Sequence, residues 1–420
     1  MIHILAIIIF VVGYGAISLE HKLHLNKSAV ALVMGSLLWF LVVLTTETNL
    51  DSNLMHTGAE IFQLILFLLC AMSLVEILVH YKLFDVIRGK LFALNLNEKH
   101  QFILITLITF FLSAIIDNLT TTIVMIQIAR MFFKKENLLI AVAGIIISAN
   151  AGGAFSPIGD VTTIMLWLAD KFSTTGIIIK GFLPAISLYA VSTFLLTKKI
   201  TDSNFDIKSE VVTKLTRSEK IIITTILLTF VLTVVTGLIG LPPYFGLVIG
   251  LGVVWLQIDL LKKYSSNETH LEASIEEFIK KTDIVALKFF IGILLAVSAL
   301  HQLGILENIS HFVYGSDPSI NRIIAGNIGL GFISPILDNV PLTAMSIQML
   351  TIANEELWIL LALSVGTGGS LLIIGSASGV VAMGMVKELN FAKYVQIAFV
   401  PALAGFIVNI CVWMVQFFYF

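Results

Sequence analysis

The chain has 420 residues, 58% of them hydrophobic and 12% charged, with a mean hydropathy of +0.99, whereas a soluble domain carries about 25% charge; this is the composition of an all-α polytopic membrane protein. The formal net charge is −2 and the basic residues gather in short segments between apolar runs, which excludes a nucleic-acid-binding stripe. Cys70 and Cys411 lie alone in apolar runs, without CxxC or His-rich context, and imply no zinc or redox chemistry.

The first apolar run, Ile2 to Leu19, has no Lys or Arg before it and no small-residue cleavage site after it, so it is expected to be a retained span. Further runs long enough for about 30 Å of hydrocarbon centre on residues 28 to 45 and 58 to 80. Residues 101 to 133 differ, because Asp117 sits at their middle and leaves arms of roughly 24 Å each, short for a crossing. Lys99 precedes this segment and Lys134 and Lys135 follow it. A re-entrant hairpin with Asp117 and Asn118 at its tip fits both length and charge, and two short complete spans give the same parity.

Residues 138 to 170 would span roughly 50 Å as one helix. Their centre, SANAGGAFSPIGD, holds Gly152, Gly153, Pro157 and Gly159, which weaken or interrupt a helix. The expectation is a helix, an unwound stretch and a second helix. Spans follow at 177 to 197, 219 to 240, 242 to 261 and 283 to 303, then a second hairpin at 321 to 353, a second broken helix at 356 to 386 around SVGTGGSLLIIGSASG, and a last span at 391 to 418.

Lys82, Arg88, Lys90 and Lys99 place residues 81 to 99 on the cytoplasmic side, whereas residues 46 to 57 lack Lys and Arg and carry Glu47 and Asp51. Residues 198 to 220, with six basic residues, and Lys262, Lys263, Lys280 and Lys281 then also fall inside. LPPY at 241 to 244 and residues 304 to 320, free of Lys and Arg, fall outside. Both termini are expected to be periplasmic.

SAIIDNLTTTIVMIQ (113 to 127) and SPILDNVPLTAMSIQ (334 to 348) agree at seven of fifteen positions, 221 residues apart. SANAGGAFSPIGD recurs as SVGTGGSLLIIGS 216 residues later. Two matches in the same order argue for internal duplication. The expected organisation is a first repeat at 1–200, a cytoplasmic linker at 201–218 and a second repeat at 219–420. Each repeat has five spans, one of them interrupted, and one hairpin, so the odd count inverts the second copy. Inverted repeats with broken helices belong to secondary transporters, whose site lies near the bilayer midplane.

Irregular backbone at membrane depth survives only inside protein or beside a watery cavity, so tips and breaks should meet there. Asp117 and Asp338 supply carboxylates, Asn118 and Asn339 amides, and Thr121, Thr122 and Thr343 hydroxyls. Such an all-oxygen set suits a hard cation such as sodium. Asp and Asn are also favoured helix N-caps, the structural alternative, but an intramembrane carboxylate is functional by default. Asp160, whose repeat counterpart is Ser376, is a further ligand or a cap. Gly152, Gly153, Gly368 and Gly369 either pack helices closely or, with Ser148, Asn150, Ser364, Thr367 and Ser370 beside them, expose backbone to the ion; the site reading is preferred. Glu76 and His301 occupy similar places near the ends of paired spans, on a proton path or merely reaching interfacial water. His56, His80, His100 and His311, in or beside loops, are assigned no role.

SAIIDNLTTTIVM, SANAGGAFSPIGDVTTIMLW, SPILDNVPLTAM and SVGTGGSLLIIGSASG together resemble the NhaD-type sodium/proton antiporters of the ion transporter superfamily, which also holds arsenite permeases and dicarboxylate and citrate transporters. The resemblance covers nearly the whole chain. It implies exchange of sodium or lithium for protons in a bacterial inner membrane by a homodimer with a scaffold part and a moving part, without a cofactor. The dicarboxylate branch has neutral SNT-like tips, whereas these are acidic, and the site region shows no convincing Lys or Arg for an anionic substrate. Arg130 and Arg322 lie near hairpin bases. Sodium-coupled import of a small anion or arsenite efflux is the alternative within this fold. No HExxH or GxGD pattern supports an embedded enzyme.

Overall fold

The computed structural model describes residues 2–18, 20–45, 50–201, 214–264, 275–316 and 318–419. Glu47 and most of the expected linker at 201–218 lie outside these. The described residues are helical, without strands. In chain order the helices are α1 (Ile2–Ser18), α2 (Glu20–Leu23), α3 (Lys27–Thr45), α4 (Leu50–His80), α5 (Leu83–Ala93), α6 (Glu98–Ser113), α7 (Asn118–Phe132), α8 (Lys135–Ala154), α9 (Val161–Leu168) and α10 (Thr174–Thr197). They continue with α11 (Arg217–Leu238), α12 (Tyr244–Tyr264), α13 (Ile275–Lys281), α14 (Ile284–Gln302), α15 (Ile305–Tyr314), α16 (Ile320–Ile333), α17 (Asn339–Met349), α18 (Glu355–Gly368), α19 (Ala377–Met385) and α20 (Phe391–Tyr419), with one 3₁₀ turn at Ile373–Gly375. Among the described residues, α3, α4, α8, α10, α11, α12, α14 and α20 are long and apolar enough to cross a bilayer. The chain is a multi-pass membrane protein.

Polar residues mark where these helices begin. Asn97 accepts from the His100 N–H at 3.0 Å, Ser173 from Gly176 at 3.0 Å, and Asp283 from Ala286 at 2.9 Å, each satisfying a donor that the first helical turn leaves free. Thr216 and Glu219 form a reciprocal capping box at the start of α11. α4 starts eight residues ahead of the expected span, because its polar first turns bind α14. Asn53 donates to Gln302 at 2.7 Å, and the Thr57 and Ser298 hydroxyls are 2.6 Å apart. α5 and α15 occupy stretches expected as connections: each is too short to cross but buries one face, through Phe84 and Leu91, and through Leu306 and Tyr314.

The two interrupted helices correct the sequence reading. α8 stays regular through Ala154, so Ser148, Asn150, Gly152 and Gly153 are helical and the break is confined to residues 155 to 160. α18 likewise runs through Gly368, carrying Ser364 and Thr367 as helical residues. Glycine weakens an isolated helix, but here its missing side chain admits a neighbouring backbone. A Cβ on Gly152 would strike the Phe110 carbonyl, and one on Gly368 the Gly331 carbonyl. Gly153 and Gly369 would each meet the carbonyl of the glycine six residues on, at 2.6 Å.

Other contacts recur at the motif offsets of 221 and 216 residues. The Ser113 hydroxyl donates to the Ala149 carbonyl at 2.6 Å, and Ser334 to Val365 at 2.7 Å. Asp160 caps α9 with φ −143° and ψ 148°, and Ser376 caps α19 with φ −143° and ψ 151°. α10 and α20 pack along each other, carrying internal Pro184 and Pro401.

One set of bonds gathers helix ends on a common face. Asn137 at the start of α8 donates to Glu98 at 2.5 Å and to the Thr201 carbonyl at 2.6 Å, Lys199 to the Ile397 carbonyl at 2.6 Å, and Arg130 to the Met385 carbonyl. A second set gathers other ends: Glu355 accepts from Ser173 at 3.1 and 2.9 Å, and Ser310 donates to the Met349 carbonyl at 2.9 Å. α6 starts and α7 ends within the first set. In α8, 94% of the apolar window is buried, against 28% in α12. A helix apolar all round belongs in the interior, so α8, together with the buried α18, forms the centre, and helices such as α12 present Val253 and Leu256 outward.

Candidate functional site

The two Asp-Asn pairs stand where a helix restarts after a bend. Asp117 caps α7, its Oδ1 accepting from the Thr120 N–H at 2.9 Å and its Oδ2 from the Thr120 hydroxyl at 2.7 Å. Asp338 caps α17, accepting from Val340 N–H at 3.1 Å, while its own N–H donates to the Tyr14 hydroxyl at 2.8 Å. Asp160 caps α9 through Thr162, and its N–H donates to the Thr163 hydroxyl at 3.3 Å. Capping therefore operates at all three carboxylates. It leaves each facing the same cavity of about 110 Å³, with Asn118 and Asn339 also in its wall. Asp160 is buried, and Asp117 and Asp338 are half-buried.

Hydrogen bonds of side-chain amides join the two halves behind this cavity. Asn118 donates to Asn150 Oδ1 at 3.1 Å, and Asn150 donates to the hydroxyls of Ser370 at 2.9 Å and Ser376 at 3.2 Å. Ser378 donates back to Asn150 Oδ1 at 3.3 Å. In the reverse direction Asn339 donates to Asp160 Oδ2 at 3.3 Å. The backbone N–H of Asn118 donates to the Gly159 carbonyl at 3.1 Å, so the bend before α7 is bonded to the break between α8 and α9. Asn150→Ala leaves several buried polar groups without a partner, at about 1–3 kcal/mol for each such group. The expected outcome is a lower unfolding temperature of the purified protein; a wild-type value would show the network to be dispensable.

The remaining expected residues lie around the cavity rather than in its wall. Thr121 donates to the Ile116 carbonyl at 3.3 Å, and Thr343 and Thr367 donate one turn back, at 2.8 and 2.5 Å. The buried hydroxyls of Thr122, Thr162 and Ser364 have no hydrogen-bond partner. Ser148 is buried on α8. Gly152, Gly153, Gly368 and Gly369 serve close packing, as described above. Glu76 and His301 are outside the cavity wall; Glu76 lies within range of the Lys281 charge, and His301 keeps a buried Nδ1 without a partner. Among the described residues, no three His, Cys, Asp or Glu side chains converge as a metal site. The carboxylates are distributed around a space, not gathered on a point.

Sequence reasoning missed Lys27, Asp283 and Tyr14. Lys27 and Asp283 line the cavity, which corrects the expectation of a site region without a basic residue. Both stand at helix starts, where hydropathy reads them only as flanks of a span. Ser378 escaped notice as one polar residue of the second Gly- and Ser-rich segment. A separate cavity of about 390 Å³ lies between α4, α9, α14 and α17, with Glu60, Asp170, Gln63 and Gln348 in its wall. α9 divides the two, for Ile164 lines the smaller and Met165 the larger.

Residues 5–354 match the citrate transporter family. The chain is 36% identical to "Sodium/proton antiporter 2" of Arabidopsis thaliana, over 97% of this chain and 98% of that one. It is 35% identical to "Sodium/proton antiporter 1" of the same plant, over 97% of this chain and 71% of that one. Similarity to the "Na(+)/H(+) antiporter NhaD" of Alkalimonas amylolytica is 30% identity over 96% of this chain and 90% of the relative.

Proposed function

From the chain's membership of the citrate transporter family, as an NhaD-type sodium/proton antiporter relative, we propose that it exchanges sodium or lithium for protons across a bacterial inner membrane. The observation that carries this reading is the convergence of Asp117, Asp160 and Asp338, with Asn118 and Asn339, on one cavity. Sodium and a proton each neutralise a carboxylate, so either ligand excludes the other at the same oxygens. A distributed set of oxygens suits an ion that must leave as readily as it arrives.

Transport further requires that the site face each side in turn. We read the chain as two inverted repeats, with hairpins at α6–α7 and α16–α17 and the interrupted helices α8–α9 and α18–α19. Support comes from the recurring Ser113–Ala149 and Ser334–Val365 bonds and from the shared face of the α6 start and α7 end. The cavity on each side of α9 gives the ion a route to either face once α9 and the tips move. We read both termini as periplasmic and the working unit as a homodimer. Lys27 does not make this an anion site, since Asp117, Asp160, Asp283 and Asp338 line the same cavity.

Everted membrane vesicles carrying a respiration-driven pH gradient test the function. Addition of sodium or lithium is expected to dissipate the gradient in vesicles containing the protein and not in vesicles lacking it. No dissipation across alkaline pH would overturn the proposal.

A further inference from the structure

Lys27 is the one basic side chain among the residues lining the smaller cavity, which also include Asp117, Asp160, Asp283 and Asp338. It is the first residue of α3, and the next residue, Ser28, donates its hydroxyl to the Val285 carbonyl at 2.6 Å, fixing the start of α3 beside the start of α14. The Lys27 ammonium stands over the Phe289 ring, 5.1 Å from its centroid, and the residue is half-buried. Its charge acts on Asp338, although no ion pair joins it to a carboxylate of the described residues. Asp283, which lines the same cavity, already caps α14 through the Ala286 N–H.

A wall of carboxylates with no cation is costly where water is scarce. An ammonium on a flexible four-carbon stem, resting on an aromatic face, offsets that charge without committing to one oxygen. A sodium ion arriving beside it meets both the carboxylates it needs and a like charge that repels it. We propose that Lys27 is a tethered competitor of the transported cation: its ammonium neutralises the Asp338 side of the empty cavity and swings away when sodium occupies it. This rests on the sodium/proton reading above. The arrangement weakens sodium binding and favours release, so removing the charge tightens the site.

The test compares wild type, Lys27→Gln and Lys27→Arg, by the sodium dependence of exchange in everted vesicles and by the sodium-induced rise in Tm of purified protein. Lys27→Gln is expected to lower the KM for sodium about five- to tenfold, the effect of one screened charge a few ångströms from the ion. Its Tm should rise at correspondingly lower sodium, without a gain in maximal rate. Lys27→Arg keeps the charge and should retain the wild-type KM. An unchanged or higher KM in Lys27→Gln, or a shift in Lys27→Arg as large as that in Lys27→Gln, overturns the proposal. Should Lys27→Gln not fold, Lys27→Met, which keeps an apolar stem over Phe289, is read in the same way. Absence of exchange in the wild type sinks the functional reading itself, whereas wild-type exchange with an unmoved KM in the variants sinks only the role of Lys27.

Discussion

Asp117→Asn and Asp338→Asn are each expected to lower sodium-dependent proton exchange at least about a hundredfold while the protein still folds and inserts. The separation of the two effects follows from the capping geometry. Asparagine caps a helix about as well as aspartate, so the Thr120 and Val340 N–H groups that Asp117 and Asp338 now satisfy keep an acceptor. What the substitution removes is the negative charge and the titratable oxygen, on which competition between sodium and a proton depends. Exchange in everted vesicles, normalised to the amount of protein and set beside its Tm, reads both quantities. Near-normal exchange in both variants would reduce the tips to caps. Asp160→Asn extends the comparison to the carboxylate that only the first half possesses, since its counterpart is Ser376.

The second large effect is on folding. Gly152→Val and Gly368→Val are expected to abolish accumulation of folded protein. Each places a branched side chain against a backbone carbonyl, that of Phe110 or Gly331, and a backbone inside a packed bundle has little room to yield. Overpacking costs about 1–3 kcal/mol where side chains can adjust, and here the obstacle is main chain. Total stability of a domain is about 5–15 kcal/mol, so the loss is a large share of it. Gly252→Ala on α12, where nothing lies within 4 Å of the added carbon, is the control and should accumulate normally. Wild-type yield and Tm for Gly152→Val would show that the close approach of α6 and α8 is dispensable.

These glycines also show where reading the chain alone misleads. In SANAGGAFSPIGD, local propensity argues that the glycines loosen the helix, and their spacing beside Ser and Asn suggests exposed backbone at an ion. Both inferences treat the segment as isolated. In the folded chain α8 is surrounded on all sides, and tight packing of α6 against it holds Gly152 in helical form. The break falls only where Pro157 removes a donor and Asp160 can restart a helix. Glu76 and His301 occupy equivalent sequence positions, yet neither lines the cavity shared by Asp117, Asp160 and Asp338.

The sequence by itself determined that this is a helical membrane protein and which polar residues make up its two Asp-Asn motifs, and the match between those motifs is what motivates the proposed repeat. Those properties are local: hydropathy over a span's length, and residue identities at a fixed spacing. Only the tertiary structure decided which side chains face one space. Lys27 and Asp283 lie more than 250 residues apart and become neighbours because α3 and α14 start side by side. Asn150 joins the halves because α8 and the second break meet at the centre. Such neighbours follow from how helices pack, and a one-dimensional pattern of apolar and polar residues carries no record of which helix lies against which.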